Sequence, residues 1–249
     1  MPDVIGVRVD APSENEIARA IHQSIQSNRR IAIGYANAHT LNQCWDNPLL
    51  RADLNAFQMV TCDGFGVRLL GFLLGVTLAN RTTMPDWADA LGGEWAERGY
   101  KIFWLGGQES IAERASQRFS QKHAGVKIAG VYHGYFGKTG AENERVIAQI
   151  NASGADILLV CFGSPIQERW VIENRNALQV NVIATGGAYF DFLAEALPRA
   201  PRWVTDNGLE WLSRLLTHPR HVWKRYIIGL PQILIRTLAH RWGWAKPKA

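Results

Sequence analysis

The chain has 249 residues, 47% hydrophobic and 20% charged, which suits one large domain or a domain with an appendage and excludes a disordered or collagen-like chain. Its three cysteines, Cys44, Cys62 and Cys161, are too few and too widely spaced to imply a disulfide framework or a zinc site. The net charge of +5 is uneven: residues 211–249 hold eight Lys or Arg, no Asp or Glu and four of the ten Trp, leaving 19 basic against 22 acidic side chains before them.

In chain order, β-branched or apolar runs predict strands over 31–35, 57–61, 102–105, 126–131, 157–161 and 180–185. Between them, helical spacing covers roughly 38–55, 64–76, 85–98, 109–122, 141–152 and 165–177. Such alternation predicts an α/β fold with a largely parallel sheet covered by helices on both faces. Beyond Ala194 the strand signal stops, so residues 1–194 read as a body and 195–249 as a helical appendage. One appendage helix is expected from Asn207, with Glu210 as the partner in a capping box, to about Leu216. A second starts at Pro219 and is kinked or ended near Pro231. The first ten residues lack the pattern of a secretory signal, and no apolar run reaches the ~18–20 residues of a spanning helix. The expectation is a soluble or peripheral protein.

The unusual residues cluster just after the strands, at the sheet edge where open α/β folds bind ligands, and six loops are expected to converge on one crevice there. Asp63, in Thr61-Cys62-Asp63-Gly64, reads as a carboxylate able to take a proton from a hydroxyl, against the alternative of an Asp-Gly hairpin turn. The string Gly163-Ser164-Pro165-Ile166-Gln167-Glu168 reads either as a capped helix start or as backbone N–H groups presented to a phosphate or sugar. Gln167 has both donor and acceptor groups for a sugar. Gly106 and Gly107 let backbone approach a ligand closely. Tyr135 can stack on a base or pack, Asp191 can pair with a base or cap a helix, and Asn37 can be only an N-cap. His39, His123 and His133 lack metal-ligand spacing, no Asp-x-Asp pair occurs, and no metal or cofactor is implied. The basic, Trp-bearing tail fits an anionic bilayer surface, against a solvated helix pair; without a nucleic-acid motif, nucleic acid is not the expected partner.

The ordered set of Asn37, Cys62-Asp63-Gly64, Gly106-Gly107, Gly134-Tyr135-Phe136, Gly163 to Glu168, Gly187 to Phe192, Arg199-Ala200-Pro201 and Leu209-Glu210-Trp211 resembles the WecG/TagA/CpsF glycosyltransferases over roughly residues 30–240. The resemblance implies a Rossmann-like body with a C-terminal membrane-binding appendage. The implied activity is inverting, metal-independent sugar transfer from a UDP-sugar to a polyprenyl-diphosphate-linked saccharide at the inner face of a bacterial membrane. Asp63 then matches the catalytic base, Tyr135 and Asp191 the residues holding uracil, and Gln167 a pocket residue. Asn37, Gly106, Gly107, Gly163 and Ser164 join the UDP-sugar site, and Arg199, Arg214, Arg220 and Arg225 fall where the appendage meets the lipid diphosphate. Tyr35, Ile166 and Met84-Pro85 depart from the usual family residues, which leaves the donor sugar open. Two rival classes are a nicotinamide oxidoreductase, which should carry a Gly-x-Gly-x-x-Gly string after its first strand, and a non-catalytic membrane adaptor, which would need only the tail.

Overall fold

Side chains of the central strands alternate between two apolar clusters: Ile102 and Trp104 enter one, Phe103 and Leu105 the other. A strand buried on both faces must be apolar at nearly every position. The computed structural model, which describes residues 2–198, 200–206 and 208–248, places helices against both faces.

The chain opens with a hairpin of β1 (Asp3–Val4) and β2 (Val7–Arg8), followed by α1 (Glu14–Gln26). Then come β3 (Ile31–Ala36), α2 (Ala38–Asp46), α3 (Pro48–Asn55), β4 (Met59–Cys62), α4 (Phe65–Leu73) and α5 (Met84–Glu97). The second half of the sheet follows with β5 (Lys101–Gly106), α6 (Ile111–Lys122), β6 (Lys127–Tyr132), α7 (Gly140–Ala152), β7 (Ile157–Cys161), α8 (Ile166–Asn174) and β8 (Val182–Thr185). Short helices α9 (Tyr189–Leu193) and α10 (Arg202–Asp206) lead to α11 (Glu210–Thr217) and α12 (Pro219–Trp223). A π-helical segment (Lys224–Ile228) then runs into α13 (Gly229–Arg241).

The six-stranded sheet has the order β4-β3-β8-β7-β5-β6, and every pairing in it is parallel. One face is covered through Ile17, Trp87, Phe119 and Phe190 of α1, α5, α6 and α9. Leu41, Leu50, Val67, Val146 and Trp170 cover the other, together with Ile233 from α13. The outer edge of β4 is closed by Asp10, whose backbone N–H and side-chain oxygen bond the Val60 carbonyl and N–H at 2.8 Å each.

The helical pattern expected over 38–55 is split in the structure. Asn47 ends α2 and caps α3, and Pro48 occupies the first position of α3, where its missing N–H costs nothing. The hairpin and α1 were not anticipated. A two-residue strand has no readable period, but Ser13-x-x-Glu16 forms a full capping box and was a visible signal for α1. The expected cap at Asn207 lies outside the described residues. Pro231 does not end the last helix. The irregularity falls in the turn before it, where the Gly229 N–H bonds Lys224 in π register, because a proline at 231 cannot donate to the Ile227 carbonyl.

The last helix is fastened to the body. Arg236 donates to the Asn42 carbonyl at 3.1 Å and to Asp46 at 2.6 Å, Asn42 donates to Gln232 at 2.9 Å, and Ile233 and Thr237 are buried. Leu216, Ile227, Ile235 and Trp244 stay exposed on the appendage. Among the described residues no helix is long and apolar enough to cross a membrane.

Candidate active site

Ala36 of β3 lies opposite Cys62 of β4, so the next residue of each strand, Asn37 and Asp63, emerges at the same level. Asn37 Oδ1 accepts from the Thr40 N–H at 2.9 Å and caps α2. That contact fixes the amide so that Nδ2 donates to Asp63 Oδ2 at 3.2 Å. Asn37 is thus both a cap and the partner of Asp63. The Asp-Gly step is a strand-to-helix turn, not a hairpin: Gly64 has φ +102° and α4 begins at the next residue.

Facing this pair are the turns after β7 and β8, with α11 and the π segment above. Together they enclose a cavity of about 560 Å³ lined by Asn37, Asp63, Gly163, Ser164, Arg214 and Arg225, among others. The cavity is strongly charged. Burial pushes the Asp63 carboxyl above the usual carboxylate range and the charge of Glu210 adds to this, while the Asn37 amide, Arg214 and Arg225 oppose it. Arg214 is paired with Glu210 at 2.5 Å and lies over the Phe192 ring at 4.9 Å. Arg225 Nε is buried in the protein without a hydrogen-bond partner. Burial, reinforced by the charge of Arg225, pulls His39 down to about 4, so that imidazole is neutral near pH 7. Chemically, the arrangement offers a carboxylate held ready for a proton and guanidinium groups able to take an anion.

The other sequence candidates lie apart from this lining. Gln167 is fully buried, and its Oε1 accepts from the Gly163 and Gly187 N–H groups at 3.2 and 3.1 Å. It ties the turns after β7 and β8 together, and the expected Ser164 cap is replaced by Pro165. Gly106 and Gly107 sit in the loop after β5, where the Gly107 carbonyl accepts from the Gly134 N–H at 2.7 Å. Tyr135 is 72% exposed on the loop after β6. These two loops contribute nothing to the cavity lining because β5 and β6 occupy the far end of the sheet. Asp191 lies on α9 with its carboxyl pushed up by burial. Arg220 is exposed on α12, and Arg199 lies outside the described residues. Among the described residues no three His, Cys, Asp or Glu side chains gather where a metal ion would sit.

Sequence reasoning missed Glu210 as a charge facing Asp63, and missed His39 as a lining residue. Glu210 stands far from Asp63 along the chain. The only trace of its role was its place in the Leu209-Glu210-Trp211 string.

A curated N-acetylglucosaminyldiphosphoundecaprenol N-acetyl-beta-D-mannosaminyltransferase from Bacillus spizizenii is 28% identical over 224 residues, covering 90% of this chain and 84% of the relative. The model of the glycosyl transferase WecG/TagA/CpsF family matches residues 2–247, nearly the whole chain, and the protein belongs to that family.

Proposed function

We propose that the protein transfers a sugar from a UDP-sugar to a saccharide carried on a polyprenyl diphosphate, with inversion at the anomeric carbon and Asp63 as general base. The observation that carries this reading is the Asn37–Asp63 pair at the floor of a cavity roofed by Arg214 and Arg225. The acceptor hydroxyl gives its proton to Asp63 as its oxygen bonds the anomeric carbon. The bond from that carbon to the UDP oxygen breaks on the opposite face, so an α-linked donor yields a β-linked product. The relative from Bacillus spizizenii carries β-linkage in its name, which agrees with a single displacement. A carboxyl with a raised proton affinity suits this work, because general bases act best with a pKa close to the working pH.

The phosphates need counter-charge. Arg225, with a buried and unpartnered Nε, and Arg214, which pairs with Glu210, supply positive charge in the roof. The donor site extends in this reading toward Tyr135 and Asp191 for the base, with Gly106, Gly107, Gly163 and Ser164 near the diphosphate and Gln167 bracing the last two loops. The exposed apolar residues of the appendage, beside Arg220 and Lys224, support attachment to the anionic inner leaflet of a bacterial membrane, where such acceptors lie.

The test is a donor panel of UDP-glucose, UDP-N-acetylmannosamine and its uronic acid with a lipid-linked acceptor, read by mass of the lipid product. A mass increase of one sugar residue is expected, with UDP released in equal amount. Release of UDP without a heavier lipid would overturn the reading.

A further inference from the structure

The turn after β8 is stripped of side chains, and two bulky residues from elsewhere fill the space. Gly187 has φ +56°, and a Cβ there would come within 2.5 Å of the Tyr35 hydroxyl oxygen. At Gly186 a Cβ would overlap Met84 Sδ and lie 2.8 Å from Cys161 Sγ. Tyr35 arrives from β3 and Met84 from the first residue of α5, and both line the cavity that contains Asp63.

Their position relative to Asp63 follows from strand geometry. Tyr35 is two residues before Asn37 on an extended segment, so both side chains leave the same face. Its register partner, Thr61, is likewise two residues before Asp63. Tyr35 therefore lies one step below the Asn37–Asp63 pair, and Met84 closes the same level from α5. Met84 is buried and Tyr35 half-buried, so this wall is packed in place. Burial, followed by the charges of Glu168 and Asp63, holds the Tyr35 phenol far above its ordinary value, so it presents a neutral hydroxyl.

The proposed reaction puts a sugar ring against this wall. An acceptor oxygen within hydrogen-bond reach of Asp63 and ~3–3.5 Å from the anomeric carbon leaves that carbon on the order of 5 Å from the carboxylate. In that reading the donor diphosphate lies along Gly163 and Ser164, in the turn that Gln167 ties to Gly187, so the ring lies over the floor beside Tyr35 and Met84. The C2 substituent, carried on the ring carbon next to the anomeric carbon, meets the same floor. Resting on that reading of the site, we infer that Tyr35 and Met84 set the size limit for the C2 substituent of the donor sugar. They act as a steric filter between hydroxyl-bearing and N-acetylated donors.

Discrimination by a packed wall is worth ~10- to 200-fold per methylene-sized change. The experiment measures kcat/KM, and separately the dissociation constant without acceptor, for UDP-glucose, UDP-N-acetylglucosamine and UDP-N-acetylmannosamine. Tyr35→Ala and Met84→Ala should raise the ratio of N-acetylated to unsubstituted donor about tenfold or more in both measurements. Tyr35→Phe, which keeps the ring, should leave the ratio within about twofold. Tyr35→Leu and Met84→Val serve as milder truncations if the alanine variants fail to fold, and are expected to shift the ratio in the same direction. An unchanged ratio in folded, UDP-binding truncation variants overturns the filter. So does a Tyr35→Phe shift as large as that of Tyr35→Ala, which would make the hydroxyl, not bulk, decisive. If the unsubstituted chain bound these nucleotides without transferring any sugar, the proposed reaction would fall while the binding ratios still decided the filter. Failure to bind any of them would overturn both.

Discussion

The floor of the cavity is carried by strand ends, whereas its roof is carried by helices that touch the body at few points. Asp63 and Asn37 stand on neighbouring parallel strands whose register is enforced by ladder hydrogen bonds, with apolar packing on both faces. Arg214 and Arg225 stand on α11 and the π segment, and α11 has no buried residue. Their position depends on α13, which seats Ile233 in the core and bonds α2 through Arg236 and Gln232. A base has to be held to a fraction of an ångström, while cations that meet a lipid-borne anion must admit a large substrate. The difference in construction matches that difference in task.

The largest expected effect tests the floor. Asp63→Asn should lower kcat by ~10²- to 10⁴-fold with little change in UDP affinity, read by product mass and calorimetry. A rate close to that of the parent would remove Asp63 from the mechanism. The same substitution has a stability signature. Asp63 binds its proton more tightly in the fold than in the unfolded chain, so its ionisation costs stability as pH rises from the ordinary carboxylate value through the raised one. Urea denaturation should find Asp63→Asn more stable than the parent above that window and equal to it below.

Next in size is the anchor of the roof. Ile233→Ala removes a buried side chain, 1% exposed, and should cost about 2–5 kcal/mol in denaturant unfolding. A cost below about 0.5 kcal/mol would mean that α13 is not seated in the core.

Arg225→Met tests the roof itself. Losing a charged hydrogen bond is worth ~1.5–3 kcal/mol, so kcat/KM for the lipid acceptor should fall roughly ten- to hundredfold. An unaffected acceptor kcat/KM would relieve Arg225 of that role.

The smallest effect couples the two parts. Asp63 faces Glu210, Asn37, Arg214 and Arg225, of which Glu210 alone adds negative charge. Glu210→Gln removes that charge and releases Arg214, so Asp63 should lose its proton more readily. The acidic limb of the pH dependence of kcat/KM should then move to lower pH. Movement to higher pH would place Glu210 on the other side of the electrostatic balance.

Much of this was readable along the chain. All six strands of the parallel sheet overlap apolar runs: five are buried by the packing on the two faces, and the edge strand β6 is half-buried from Ile128 to Tyr132. Asp63 could be singled out because the apolar segment after Gly64 has helical character, which argues against a hairpin. The expected convergence of six loops did not follow, since loop position depends on strand order. With β5 and β6 beyond β7, their loops stand away from the cavity that the other four line. Gln167 likewise reads in the sequence as a capping partner or a sugar-binding amide, whereas the fold gives its Oε1 two backbone N–H donors from separate turns.

The amino-acid order alone determined the α/β alternation, the polar strand ends and the basic, Trp-bearing tail. Each is a matter of near neighbours, whose period and charge are written locally. Tertiary structure decided which strand ends meet, that Glu210 and two arginines of the tail face Asp63, and that Tyr35 and Met84 occupy the space left by Gly186 and Gly187. Those pairings join residues far apart in sequence, and only the strand order and the docking of α13 bring them within reach.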